Sequence, residues 1–406
     1  MGAEGVLWGQ VSSPTLTRYH GDASGNTVYS PTSQAAATSY FSARSPWGSM
    51  GRVSMRPDGS VASRCPVNQT SLQVANNWGD NCYSDTNDDA NRQQKMVYVH
   101  QFCFYIDYVA AHNIVYWVGQ IGDTFTLQAA DGTFTGATYT FTSSDIHPAF
   151  SVDGVAKSGI YIGAYTAYNS SNVLQSVAGV TPTSTNAPLT IANARTYAYA
   201  LNSVSSIKNW GLTTIQTYLA VAMLCFVEYA TFYVRSALGT GVLSGSLANT
   251  GGTVSYGNAS YGSPTTTVQM TYRGIEDFWG NMGYFIEGMN FKANATPFIA
   301  PQSVVNTYAC DTFTGVYADT THTQPATGWV SAVYPDWEFI SSSTAGSPSS
   351  SLSTYLCSNQ QYATVNRVPF LGWSLSGGLS GLFSYVAQYS SVSTANLGYR
   401  IQYLPS

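Results

Sequence analysis

The 406-residue chain carries 15 Lys and Arg against 20 Asp and Glu, a formal net charge of −5, and charged residues make up 9% of it, where about 25% is ordinary for a soluble domain. With no run of basic residues to neutralise phosphates, nucleic-acid binding has little electrostatic support. Hydroxyls, amides, glycines and 30 tyrosines fill the places that charge normally takes, a chemistry suited to close packing of subunits outside cells, because neutral polar groups cost less to desolvate than ions.

The length permits one enlarged core or two cores without a stabilising disulfide or metal. Cys65, Cys82, Cys103, Cys225, Cys310 and Cys357 contain no C-x-x-C pair, so neither a zinc site nor a thioredoxin-like motif is offered. Cys65 and Cys82 stand at a spacing where a disulfide can form. Met1-Gly2-Ala3-Glu4 shows no basic segment leading into an apolar one, so a secretory signal is not expected and release by lysis is.

Residues 1–92 are rich in turn formers, with Ser-Pro at 13–14, 30–31 and 45–46, Asp-Gly at 58–59 and a polar run over 76–94. They read as short strands and loops forming an attachment or oligomerisation region. Within them Asp85, Asp88 and Asp89, with Asn87 and Asn91, lack the ligand order of an EF-hand and read as a solvated loop. A larger domain over 93–406 opens with a β-branched and aromatic strand at 96–106 and a second at 113–118.

Thr213 is the expected cap of a helix, with Gln216 reaching back and Leu219, Met223, Phe226 and Ala230 at three-to-four spacing. Gly239 is the expected stop. The apolar run at 218–234 contains Glu228 and is shorter than the ~20 residues of a bilayer span, which favours a buried core helix. Ile275, Phe278, Trp279, Met282, Phe285 and Ile286 suggest a second helix with an aromatic face, on which Arg273 and Glu276 pair three residues apart. Residues 240–268 and 340–354 read as surface loops.

Several stretches carry a resemblance, in a consistent order. They are His147-Pro148-Ala149-Phe150 with Asp153-Gly154, Ile160-Tyr161-Ile162-Gly163-Ala164-Tyr165, Ser176-Val177-Ala178-Gly179-Val180-Thr181-Pro182, Arg195-Thr196-Tyr197-Ala198 and Glu228-Tyr229. The most specific is Tyr272-Arg273-Gly274-Ile275-Glu276-Asp277-Phe278-Trp279-Gly280-Asn281, and Ser353-Thr354-Tyr355-Leu356-Cys357 follows. Together, over about 95–406, they resemble a family of tailed-phage tail or fibre proteins whose large domain is related to the C-type-lectin and formylglycine-generating-enzyme fold. The last piece, Gly372-Trp373-Ser374 through Gly381-Leu382-Phe383 to Asn396-Leu397-Gly398-Tyr399-Arg400, resembles the variable proteins of diversity-generating retroelements, whose framework holds a hypermutable binding face.

The resemblance implies an α+β chain: a C-type-lectin-like domain of mixed short strands and two main helices over 93–406, after a β- and loop-rich region at 1–92. It implies a surface-exposed virion protein of a tail or fibre, trimeric, bound to other virion proteins and to a host-cell surface receptor of protein or glycan. Membrane insertion and cofactors are not expected. The alternative is a structural virion subunit, a capsid decoration or tail accessory protein, using the same fold for subunit contacts.

Enzymes of the related fold need thiols near the C-terminal framework. No cysteine follows Cys357, and the sequence around Cys310 and Cys357 shows no cation to lower a thiol pKa, so no catalytic residue is assigned. His147 beside Asp145 or Asp153 is expected to be a packing histidine rather than a base, and His20, His100, His112 and His322 lack ligand spacing. The sequons at Asn68, Asn169, Asn258 and Asn294 are expected by chance in a chain of this composition.

The functional signal is the interval from 373 to 393, where framework and exposed positions alternate. Trp373, Leu375, Ser380, Ser384, Tyr385, Gln388, Tyr389 and Ser391 are the ligand-binding candidates. Tyrosine supplies contact area with few rotors and serine adapts its hydrogen bonds, the combination antibody paratopes use. The competing reading is that these tyrosines belong to the general excess and pack between subunits. Adenine-directed mutagenesis of Asn codons yields Tyr, Ser, Val and Leu, although not Gln388 or Trp373.

Overall fold

The computed structural model describes residues 2–9, 16–22, 24–30, 34–64, 94–109, 113–182, 189–204, 209–231, 234–293, 296–304, 308–323, 328–334, 341–345, 356–357, 366, 368–371, 386–393 and 397–405. It is strand-rich with few helices, an α+β chain in the broad sense. The strands before residue 120 are β1 (Glu4–Gly9), β2 (Leu16–Asp22), β3 (Gly25–Val28), β4 (Gly51–Met55), β5 (Val61–Arg64), β6 (Gln94–His100), β7 (Cys103–Val109) and β8 (Asn113–Gly119), with helix α1 (Gln34–Ser42) between β3 and β4.

One antiparallel sheet runs β3-β2-β1-β8-β7. Another begins β5-β4-β6 and continues through Gly159–Gly163, Ile401–Tyr403 and Trp210–Leu212, again antiparallel. Both sheets mix early and late segments: β1 is hydrogen-bonded to β8 and β4 to β6, so the pairings cross the expected division at residue 92. The strand expected over 96–106 is interrupted at Gln101 and Phe102, where the chain leaves one sheet as β6 and enters the other as β7.

Helix α2 (Ile191–Tyr199) starts at Thr190, whose hydroxyl accepts from Asn193 N at 3.3 Å. Helix α3 (Ile215–Tyr229) is buried along all 15 of its residues, as expected of a helix that is apolar on every side. Its cap is Thr214, whose hydroxyl accepts from Thr217 N at 3.3 Å. The expected cap, Thr213, sits one residue earlier and donates its hydroxyl to the Arg400 carbonyl at 3.0 Å. The helix stops at Ala230, left-handed at φ 45 and bonded back to Phe226 O, and Gly239 instead follows the short α4 (Val234–Leu238) at φ 88. No helix among the described residues is long and apolar enough to cross a membrane.

The second helix expected over 275–286 is not formed. Thr271–Tyr272 and Ile275–Glu276 make a two-residue hairpin with Arg273 and Gly274 at φ 46 and 89, positive at both central positions as a type I′ turn requires. Asp277, Gly280 and Asn281 are also left-handed, and Gly283–Phe285 is a strand. The whole stretch is buried, from Thr271 to Ile286, so the apolar spacing marks burial on all sides rather than one helical face.

In a hairpin, residues three apart do not share a face, and the Arg273–Glu276 pair is absent. Arg273 instead grips Glu228 of α3, Nε to Oε2 at 2.6 Å and the terminal nitrogen to Oε1 at 2.8 Å, with both residues buried. Tyr272 donates to the same carboxylate at 3.0 Å, Arg18 Nε to the Glu228 carbonyl at 3.0 Å, and Arg273 also reaches the Trp47 carbonyl at 3.2 Å. Burial pulls the Arg273 pKa down, and the charge and bonds of Glu228 more than offset it, leaving it raised.

Removing one partner of such a pair strands a buried charge. Arg273→Met is expected to lower the unfolding free energy by about 3–5 kcal/mol in urea denaturation. The Glu228→Leu/Arg273→Met double variant is expected to lose less than either single one. A change under about 1 kcal/mol for Arg273→Met would contradict this assignment.

Candidate functional site

The C-terminal region is organised on a four-stranded sheet in the order Val386–Gln388, Val368–Leu371, Gly283–Phe285, Leu397–Gly398. The first two pairings are antiparallel and the last is parallel. Beneath it Phe285 meets Phe370 and Tyr399, with ring centroids 6.0 and 5.9 Å apart. At Gly283 a Cβ would come within 2.9 Å of the Phe370 ring, so only glycine allows this closeness.

Arg400 fixes the last strand from within. It is fully buried and donates to backbone carbonyls: Gly163 at 2.6 Å, Glu276 at 2.6 Å and Asp277 at 3.1 Å. Its own carbonyl accepts from Thr213 N at 2.8 Å and from the Thr213 hydroxyl. Burial lowers the Arg400 pKa. Asp277 alongside accepts from Gln269 and Asn281 at 2.7 and 2.8 Å, and burial, followed by the Glu276 charge, raises its pKa well above the usual carboxylate range.

Of the eight candidates, Trp373, Leu375, Ser380, Ser384 and Tyr385 lie outside the described residues. Gln388 ends the outer strand, opposite Val368. Tyr389 is 44% exposed and Ser391 is exposed, on a turn closed by Val392 N donating to Tyr389 O at 3.1 Å. Ser390 donates its hydroxyl to Asp311 Oδ2 at 2.6 Å. Asp311 is a site residue that sequence reasoning missed, since nothing in its local sequence signals a partner 79 residues away. The turn offers an aromatic ring and hydroxyls with no charge of its own, held at one side by a carboxylate.

Beside Asp311 the expectation about Cys310 needs correction: a cation is present. Arg195 donates to Cys310 Sγ at 3.4 Å while holding both oxygens of Glu287. Burial nevertheless pushes the Cys310 thiol up, outweighing Arg195. Burial likewise pushes up Cys225 and takes Cys103 to about 12. Cys357 lies in a short strand opposite Gly328, and Cys65 and Cys82 are outside the described residues, as are Asp85, Asp88 and Asp89.

His147 is fully buried, its Nδ1 accepting from Ala149 N at 3.1 Å between the rings of Phe102, Phe104 and Phe150. Asp145 is engaged by Thr142 N and Tyr139, both at 2.7 Å, and Asp153 by Val304 N at 3.1 Å. Among the described residues no three His, Cys, Asp or Glu are placed to hold a metal ion. The sequon residues Asn169 and Asn258 are buried, Asn258 accepting from Arg52 N at 2.8 Å, and Asn68 and Asn294 are outside the described residues. No protein-family model matches the chain, and no curated protein sequence matches it.

An exposed hydroxyl–carboxylate bond contributes little to global stability but orders the turn. Ser390→Ala is expected to change the unfolding free energy by less than about 1 kcal/mol while speeding amide exchange at residues 389–392. Unchanged exchange would show that Asp311 does not hold the turn. For Asp277, a folded pKa raised above the unfolded one gives stability that is complete below the ordinary carboxylate range and lost as pH rises through the folded value. Asp277→Asn is therefore expected to flatten the decline in stability above about pH 4, measured by urea denaturation across pH; an unaltered pH profile would contradict a neutral Asp277.

Proposed function

We propose that this chain is a virion surface protein of the tail-fibre kind, a receptor-binding adhesin without catalytic activity, whose region 93–406 is a C-type-lectin-like domain. The observation that carries the reading is the uncharged, exposed turn at residues 389–393, with Tyr389 and Ser391 open to solvent just after the outer strand of a tightly packed sheet. Such a surface binds by contact area and adaptable hydrogen bonds rather than by charge, and it loses little entropy because its support is rigid.

The ligand on this reading is a protein or glycan of the host-cell surface. On this reading the ligand-binding residues also include Trp373, Leu375, Ser380, Ser384, Tyr385 and Gln388, from the sequence pattern, and the protein acts as a trimer in contact with other virion proteins. Low charge throughout suits repeated close contacts between such subunits.

The test is binding of the fluorescently labelled, purified chain to cells of the strain on which the virus grows. Tyr385→Ala/Tyr389→Ala is expected to cut cell binding at least tenfold, with Tm and oligomeric state unchanged. Undiminished binding would remove the site from this face. Absence of binding by the unaltered protein, together with its incorporation into particles, would make it a structural virion subunit instead.

A further inference from the structure

A second constellation lies at the start of the chain, built from residues other than those around Tyr389. A pocket of about 330 Å³ opens between the β3-β2-β1-β8-β7 sheet and the segment after α1, lined among others by Glu4, His20, Arg44, Gln120, Asp123 and the backbone of Gly119. Its volume lies at the lower end of the about 300–1,000 Å³ common for small-molecule sites.

The polar wall is assembled around one carboxylate. Glu4 is buried, and its Oε1 accepts from Arg44 Nε at 2.8 Å, His20 Nδ1 at 2.9 Å and the Tyr40 hydroxyl at 3.0 Å. The Arg44 guanidinium lies 3.4 Å from the centre of the Tyr40 ring, which itself stacks on Tyr29 at 3.8 Å, and donates to the Tyr40 carbonyl at 3.2 Å. Arg44 is thus held in one pose by an ion pair, a ring and a carbonyl, with its side chain still 31% exposed. The Glu4 bond raises the His20 pKa and favours its charged form. Asp123, also buried, accepts from Gln120 N at 2.8 Å, while Val118 and Ala43 add apolar lining.

The lining therefore holds two carboxylates and two basic groups, preset before any ligand arrives, beside apolar surface. An anion entering here meets Glu4 and Asp123, and a cation meets Arg44 and His20, so neither gains net Coulomb energy. A neutral ligand is indifferent to this balance: its hydroxyls can accept from the exposed part of Arg44 and donate to the Asp123 carboxylate, and its C–H face can lie on the apolar lining. We propose that this pocket binds a small neutral polyhydroxy ligand, a saccharide unit, as a site distinct from the turn at 389–393.

The experiment is saturation-transfer difference NMR on the full chain with D-glucose, D-galactose, D-mannose, L-rhamnose and N-acetylglucosamine, with acetate and methylammonium as charged probes. At least one sugar is expected to show transfer, and Arg44→Met and Asp123→Asn are each expected to weaken its binding at least tenfold, measured at a temperature at which circular dichroism shows each variant folded. Tyr389→Ala is expected to leave it unaltered, so that loss of this site and loss of the turn's role are told apart. No transfer from any sugar, transfer unaffected by both pocket variants, or preferential binding of acetate or methylammonium would each overturn the proposal. Should Arg44→Met fail to fold, Asp123→Asn alone decides: a sugar bound as tightly as by the unaltered chain would overturn it.

Discussion

The Glu228–Arg273 ion pair is the interaction on which the rest of the structure depends. Helix α3 has no polar face and is buried from end to end, yet it carries one carboxylate. That charge is tolerable only with a cation and hydrogen bonds around it. Arg273 supplies the cation from a hairpin 45 residues along the chain, Tyr272 adds a donor, and Arg18, from β2, caps the carbonyl of the same glutamate. Because Arg273 also bonds to the Trp47 carbonyl, the segment after α1, the central helix and the hairpin have one mutual arrangement that satisfies all of them. Buried polar networks of this kind specify a core more than they stabilise it.

Arg400 does for the end of the chain what Arg273 does for its middle, spending its donors on the carbonyls of Gly163, Glu276 and Asp277. The scarcity of charge then takes on a structural meaning. Arg52, Glu228, Arg273, Glu276, Glu287 and Arg400 are all buried, so part of a small complement of ions is committed to the interior. Much of what faces solvent is left to hydroxyls, amides and tyrosines, and the turn at 389–393 is one exposed example on the rigid sheet. The Glu4, Arg44 and His20 cluster is the same device at a pocket, ions balancing one another within the protein and leaving hydrogen-bonding capacity toward a guest.

Local signals were legible in the sequence and distant ones were not. The strand at 113–118 and the buried helix containing Glu228 follow from apolar runs and their lengths. The cap was misplaced by one because Thr213 and Thr214 are adjacent, and only the pairing of Arg400 with Thr213 distinguishes them. The 275–286 segment misled because aromatic spacing of three and four residues also arises in a wholly buried run of turns; of its left-handed residues, Asp277 and Asn281 are types that tolerate that backbone and were a readable signal against a helix, whereas Arg273 is not. At the candidate site the Tyr and Ser chemistry could be read directly. The Ser390–Asp311 and Arg195–Cys310 contacts span 79 and 115 residues, and tertiary folding alone brings them together.

On the proposed reading, a fixed, internally charged framework presents a replaceable neutral surface. It is tested most directly by sequencing this locus and its neighbourhood in many isolates. Substitutions are expected to concentrate between Trp373 and Arg400 at adenine-containing codons, with a reverse transcriptase nearby and no change at Glu228, Arg273 or Arg400. An invariant stretch between Trp373 and Arg400 without a neighbouring reverse transcriptase, or substitutions spread evenly over framework and turn, would contradict this.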